Sequence, residues 1–438
     1  MKRVAYHNLG CKVNYYELEA VKEIMQEDGY VTVDFETQAD VYIINTCSVT
    51  NTADQKSRQM INRARQHGGE AAVVVAMGCF AQELEEGNAT DINADIIIGN
   101  NRKHNIINDI AQFVRDRRKI TDVTDINDSN ICYEDLLLDN MSDHTRAFIK
   151  IQDGCNEFCS YCIIPYLRGR IRSRAVPDIL KEISELTKVG VREVVLTGIH
   201  ISSYCDEDTY HLIDLIEAIN KLEGVKRIRL GSLEPRIITK EFVERLVNVD
   251  KICPHFHLSL QSGSDSVLKR MNRKYTTDEF YQSLILLREY FDMPAITTDV
   301  IVGFPGETDE EFEETYNFLK KCSFYEMHVF KYSRRHGTRA DKMTDQIDES
   351  IKKERSNRLL SLNHKISDEF RALHINREVE VLFEEPVIID GITHFTGYTR
   401  EYIKAMMIPE EGEDLNNKII RCRGIILKNN ALLVEKIT

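Results

Sequence analysis

The chain has 438 residues, 42% hydrophobic and 29% charged, which suits a soluble protein with two or three separate cores. No apolar run is long enough to span a membrane. Residues 1–6 run straight into a strand without a signal-peptide apolar segment, so a cytoplasmic chain is expected. The eleven cysteines, an odd number at uneven spacing, argue against a secreted disulfide framework and read as thiols or metal ligands.

The net charge of −14 is unevenly spread. Residues 1–141 carry 14 basic and 23 acidic side chains, residues 142–375 carry 35 and 37, and residues 376–438 carry 8 and 11. The middle of the chain is therefore nearly neutral, and its basic islands can still meet a polyanion.

Apolar strands are predicted at 4–8, 41–45, 71–77 and 96–98. Helices alternate with them at 14–27, 53–66, after 79, and at 103–115. Continuous apolar strands alternating with helices predict a doubly wound parallel sheet over residues 1–128. Cys11, Cys47 and Cys79 each fall at the carboxyl end of a strand, where such sheets bind ligands. The same position recurs three times, which predicts one cluster site rather than three core thiols. Residues 129–145 are acidic, weakly patterned and expected to be a linker.

From 146 to 375 further βα units follow. Strands are predicted at 147–152, 193–198, 225–232, 255–260, 296–302 and 326–332, and a long polar helix at 350–374. Six strands with right-handed crossovers predict a partial, open (βα)6 barrel. After the first strand comes Cys155-Asn-Glu-Phe-Cys159-Ser-Tyr161-Cys162. Three cysteines at this spacing leave a cubane one ligand short, so one iron is open to a small molecule. Three free thiols, or a zinc completed by a distant His, are the alternatives. Residues 376–438 predict a small five-stranded antiparallel β-barrel.

CxxxCxxC after the first strand of a partial barrel resembles the radical S-adenosylmethionine (SAM) signature. Leu9-Gly-Cys11-Lys-Val-Asn14, Asn45-Thr-Cys47-Ser-Val-Thr50, Gly78-Cys79-Phe-Ala-Gln82, Cys162-Ile-Ile-Pro165-Tyr-Leu-Arg168-Gly169 and Arg172-Ser-Arg174 look like the methylthiotransferase family. Lys56-Ser-Arg58 and Gln152-Asp-Gly-Cys155 look most like its MtaB type, and the C-terminal barrel resembles a TRAM domain. The resemblance covers essentially the whole chain.

It implies two 4Fe-4S clusters, on Cys155, Cys159 and Cys162 and on Cys11, Cys47 and Cys79. The first cluster's open iron is expected to chelate SAM, whose reductive cleavage gives a 5′-deoxyadenosyl radical. The second is expected to deliver sulfur, with two SAM molecules consumed per turnover. The implied reaction is methylthiolation of C2 of N6-threonylcarbamoyladenosine at tRNA position 37, next to the anticodon. A reduced flavodoxin or ferredoxin and a sulfur source are implied partners, and a monomer is expected.

For SAM, strand-end residues suggest Tyr161, Thr197 and Gly198, Ser232 and Glu234, Ser259 and Gln261, and the backbone of Val302, Gly303 and Phe304. Basic islands near the barrel mouth suggest the tRNA contacts. They are Arg168, Arg170, Arg172 and Arg174; Lys269, Arg270, Arg273 and Lys274; and Lys331, Arg334, Arg335 and Arg339. Alternate spacing should point the first four to one side. The acidic count of the last domain departs from a basic TRAM domain. It favours, as runner-up, a methylthiotransferase acting on a ribosomal-protein aspartate. A non-catalytic Fe–S or zinc RNA-binding protein is the third reading. Cys132, Cys205, Cys253, Cys322 and Cys422 share no ligand spacing, and His200 is expected to pack or cap rather than act as a base.

Overall fold

A computed structural model describes residues 2–83, 92–128, 130–138, 145–207 and 209–437. The N-terminal sheet has six parallel strands, Lys2–Asn8, Tyr30–Thr32, Val41–Thr46, Val73–Gly78, Ile96–Ile98 and Ile120–Asp122. Tyr30–Thr32 lies on one edge beside Lys2–Asn8, and the remaining strands follow in sequence order. The two short edge strands carry too few residues to show a pattern, so the sequence gives only the other four. Both faces of the sheet are buried. Val4, Ile43 and Val75 pack under helices Lys12–Glu27 and Ile106–Asp116. Tyr42, Ile44 and Ala76 pack under Asn51–Gly68.

The middle domain has strands Arg146–Asp153, Glu193–Gly198, Arg227–Leu230, His255–Leu258, Ala295–Val302 and Glu326–Lys331. They run in sequence order, and a single bridge between Ile228 and Ile252 joins the first three to the last three. The predicted third strand breaks at Gly231, and Ser232–Leu233 passes to the second group, pairing beside His257 and Leu258. Helix Glu349–Ala372 leads out of this domain.

The last domain is a closed five-stranded barrel. Its strands are longer than the sequence pattern shows, because Asp390 and Gly391 in the left-handed region make a tight turn between Glu378–Ile389 and Ile392–Thr399. Closure also needs one parallel seam, Ala405 beside Leu432 and Met406 beside Leu433, in an otherwise antiparallel barrel. Among the described residues no helix is long and apolar enough to cross a membrane.

The expected linker is a packed segment where it is described. Leu136 and Leu138 join the barrel core, and Glu134 is buried against Lys103. One of its charges, Glu134, is buried with Lys103 and His104, whereas Asp135 stays exposed.

One buried ion network ties the first two domains together. Glu17, on the first helix, meets Lys103, Lys150 and Arg168; Arg168 and Lys150 also meet Asp153. Arg168 is 0% exposed. Removing one partner of a buried pair leaves an uncompensated charge. Arg168→Ala is expected to lower the stability of the joined domains by about 3–5 kcal/mol, read as a fall in the urea midpoint under anaerobic conditions. An unchanged midpoint would show that the network holds nothing together.

Candidate active site

The two cysteine triads meet at the domain junction, where Cys79 packs with Ile163 and Leu167, just after Cys162. Cys11, Cys47 and Cys79 follow three adjacent parallel strands, where strand order reverses about Lys2–Asn8. Cys11 caps the helix Lys12–Glu27 and Cys79 opens the helix Cys79–Glu83. The positive ends of both helices thus lie at thiol positions. Cys47 and Cys79 are buried, whereas Cys11 is exposed. Burial, reinforced by Cys79 and Cys11, pushes the Cys47 thiol up to about 12. Asn100 approaches Cys79 Sγ at 3.7 Å.

The second triad lies on a loop whose backbone is clamped. Gly154 has φ +73°, and a Cβ there would stand 1.8 Å from the Arg170 carbonyl oxygen. The Cys155 amide donates to the Gly169 carbonyl at 3.0 Å. The Ser160 amide donates to Met271 O, and Asn272 Nδ2 donates to the carbonyls of Glu157 and Phe158. Burial and the neighbouring thiols push Cys155 up to about 11 and Cys162 up to about 12. Arg273 Nη1 donates to Cys159 Sγ at 3.2 Å.

The thiols therefore interact within each triad, yet neither triad closes on a single ion. Among the described residues only His257, Asp299 and His328 bring three metal-binding atoms within 4.8 Å of one another. Four thiolates around one zinc stand roughly 3.8 Å apart, given a Zn–S bond of about 2.3 Å. A wider triad of thiols, raised by burial until a metal's charge ionises them, fits a cluster and not zinc. The other five cysteines are unpaired thiols.

A cavity of about 200 Å3 joins the domains beside the second triad. Val49 and Thr50 line it from the first domain; Tyr161, Cys162, Gln261, Asp299 and Phe330 line it from the barrel. Val49 and Phe330 are apolar yet 47% and 49% exposed. Another cavity, of about 720 Å3, lies at the barrel–C-terminal-domain seam around Arg192, Glu380 and Arg421 and shares no residue with either triad.

The strand-end residues fall around the mouth in different states. Tyr161 and Gln261 line the small cavity. Thr197 is buried, and Gly198 lies against the Gln152 carbonyl, where a Cβ would stand 2.9 Å away. Ser232 is exposed, whereas Glu234 is buried and paired with Arg236 at 2.7 Å. The Ser259 carbonyl accepts from Arg273 and Tyr275. The fifth strand end differs from expectation. Val302 and Phe304 are core side chains, Phe304 packing on Tyr332, and the Gly303 amide already donates to Glu307 at 2.9 Å.

Several predicted RNA contacts are overturned by burial. Arg168 lies in the ion network, and Arg174 is buried against Glu182 and Tyr16. Arg335 is buried in a clasp with Asp54, Ser48 and Glu83 of the first domain. Arg273 holds the cluster loop, Arg270 bonds Glu311 and the Gly306 carbonyl, and Arg172 caps the carbonyls of Arg168 and Arg170. Arg170, Lys269, Lys274, Lys331, Arg334 and Arg339 remain exposed. Of these, Lys331 pairs with Glu349 and Arg334 with Asp341.

Sequence reasoning missed His257, Asp299 and His328. His257 Nε2 stands 3.2 Å from Asp299, and its ring stacks on His328. Their signal is the two-residue alternation of adjacent strands, which is visible only once the strands are paired.

Comparison with known proteins agrees with this arrangement. Residues 149–319 match the radical SAM superfamily, and residues 3–99 match the uncharacterized protein family UPF0004. The threonylcarbamoyladenosine tRNA methylthiotransferase MtaB of Bacillus subtilis is 43% identical over 97% of this chain and 94% of its own length. Its Aquifex aeolicus counterpart is 39% identical over 87% and 93%. A tRNA-2-methylthio-N(6)-dimethylallyladenosine synthase of Alkaliphilus oremlandii is 33% identical over 98% and 93%. In fold, the radical SAM methyltransferase TsrM of Kitasatospora setae superposes with a TM-score of 0.56 at 14% identity, over 76% of this chain and 73% of that one.

Anaerobic reconstitution is expected to load about eight irons per chain, and about four when Cys155, Cys159 and Cys162 are all changed to Ala. Gly154→Ala should lose the same four irons while keeping every thiol, because the loop cannot close. Zinc without iron in the wild type would sink the cluster reading.

Proposed function

Because the chain belongs to the radical-SAM methylthiotransferase family, matching an MtaB relative over 97% of its length, we propose that it methylthiolates C2 of N6-threonylcarbamoyladenosine at position 37 of tRNA. The observation that supports this is a second three-thiol set, Cys11, Cys47 and Cys79, of which Cys79 packs against Ile163, the residue after Cys162. A single cluster would suffice to start a radical; the second thiol triad is where sulfur is held.

When bound, the two clusters and SAM supply the electron transfer, the carbon radical and the sulfur. The chain's own residues hold and orient these groups. Gly154 and the 270–273 segment fix the loop bearing Cys155, Cys159 and Cys162. Arg273 directs an N–H at Cys159 Sγ, which lowers the electron density on that sulfur. Tyr161, Gln261 and the backbone of Gly198 and Ser259 stand where SAM is to lie. Thr197, Ser232 and Glu234, at the ends of neighbouring strands, are further candidates for SAM contacts. Val49 and Phe330 offer apolar surface to a base taken out of its stack.

Arg170, Lys269, Lys274 and Arg334 are the proposed RNA contacts, since they remain exposed after the buried arginines are set aside. A reduced flavodoxin or ferredoxin donates electrons, a separate donor restores the sulfur, and the protein works as a cytoplasmic monomer. The relatives that carry this reading are named for tRNA, which leaves the ribosomal-protein aspartate without support.

Nucleosides from tRNA of cells lacking the gene are expected to show threonylcarbamoyladenosine without its methylthio form, which complementation restores. An unchanged methylthio peak would overturn the assignment. Arg170→Ala is expected to weaken anticodon stem-loop binding and to reduce the slope of log K against log salt by about 1. The buried Arg174 should leave that slope unchanged when replaced, and equal slopes for both variants and wild type would remove Arg170 from the RNA surface.

A further inference from the structure

Beside the first barrel strand one cation has no counterion among the described residues. Arg146, Arg227 and Arg229 rise from the amino ends of two strands, and each has a carboxylate. Arg146 pairs with Glu384, Arg229 with Glu193, and Arg227 with Glu380 and Glu193. Lys150 is matched by Glu17 and Asp153. Lys12 is different. Among the described residues its ammonium makes no hydrogen bond and no ion pair, and its nearest described contact is the Phe148 ring, 5.9 Å to the centroid. Arg229 and Arg146 are the charges that bear most on it, and both repel it. Glu193, the carboxylate in the same field, is already held by Arg229 at 2.7 Å.

Lys12 is itself exposed, so its ammonium is open to a ligand, and with two arginines repelling it an anion is the ligand it favours. The same field reaches His255, which feels Arg229, Lys12, His257 and His328. The position of Lys12 narrows the anion further. It follows Cys11 directly, so whatever meets it lies beside the triad proposed to hold sulfur.

The substrate proposed above brings such an anion. Threonine joined through its amine to a carbamoyl group keeps a free carboxylate. A dimethylallyl group, carried by the substrate for which the Alkaliphilus relative is named, is uncharged hydrocarbon. We propose that Lys12 receives the threonylcarbamoyl carboxylate and so makes the enzyme choose this adenosine over one without the anion. This inference rests on the tRNA reading above.

The test uses three anticodon stem-loops that differ only at position 37: threonylcarbamoyladenosine, its neutral threonine-amide analogue, and plain adenosine. Binding is read by fluorescence anisotropy on cluster-loaded protein without turnover. The wild type is expected to prefer the carboxylate over the amide by roughly 10–100-fold, the range of a hydrogen bond to a charged group. Lys12→Met should bind both alike, and Lys12→Arg should keep most of the preference. A wild-type ratio near one overturns the site without reference to any variant. So does a Lys12→Met protein, holding its full iron content, that keeps the wild-type ratio. A loss of affinity shared equally by all three loops would make Lys12 a backbone phosphate contact and likewise overturn it. A wild type that prefers the carboxylate yet never methylthiolates that loop refutes the proposed reaction and leaves the site standing.

Discussion

Arg168 is the residue on which the two-site arrangement depends. It lies six positions after Cys162, on the segment that ends the cluster loop, and is wholly buried. Its guanidinium donates to both carboxylate oxygens of Glu17, at 2.8 and 3.1 Å, and to Asp153. It also bears electrostatically on Cys11 and Cys47. Burial alone would raise the carboxyl of Glu17, yet Arg168, Lys103 and Lys150 hold it well below the usual carboxylate range. One planar, always-charged fork thus sets the first helix against the loop of the second triad. A lysine, as a single point charge, cannot hold two carboxylates on two elements in a fixed geometry.

This burial also explains why the arginine run misleads a reader of the sequence. Alternation points side chains to one side only along an extended strand. Here residues Ile164–Leu167 form a helical turn and Gly169 takes φ +70°, so Arg168 and Arg170 are turned to opposite environments. Only Arg172–Ser173 is a strand. The cysteine motifs can be read from the chain because short spacings and strand ends are local in sequence. Arg335 cannot be read that way. Its partners Ser48, Asp54 and Glu83 lie more than two hundred residues away, and a buried interdomain clasp has the same composition as a solvated basic patch.

The C-terminal barrel is placed by the same kind of long-range charge. It covers the amino ends of the barrel strands, opposite the cysteine loop. Arg227 donates to the carbonyls of Glu380 and Tyr398, and Arg229 to those of Thr399 and Arg400. Tyr402 lies under Arg146 and Arg229 and against His255. The acidic count of this domain, puzzling for an RNA-binding module, follows in part from that duty. Glu380 and Glu384 neutralise arginines of the middle domain. Some of its outward basic residues are also matched, Arg421 by Glu378 and Lys428 by Asp390.

With the amino end covered, the mouth between Val49 and Phe330 is an open approach to Cys162. That mouth is built jointly, since Val49 and Thr50 belong to the loop after Cys47, whereas Tyr161 and Cys162 belong to the other triad. A duplexed or stacked base cannot present C2 there, because both of its faces are already covered. An unstacked base can exchange its neighbours for Val49 and Phe330, recovering part of the lost stacking. Arg335 then has a consequence beyond stability. By clasping Asp54 and Glu83 it fixes the first domain's lip against the barrel's, and so fixes the width of the gap that the base must enter.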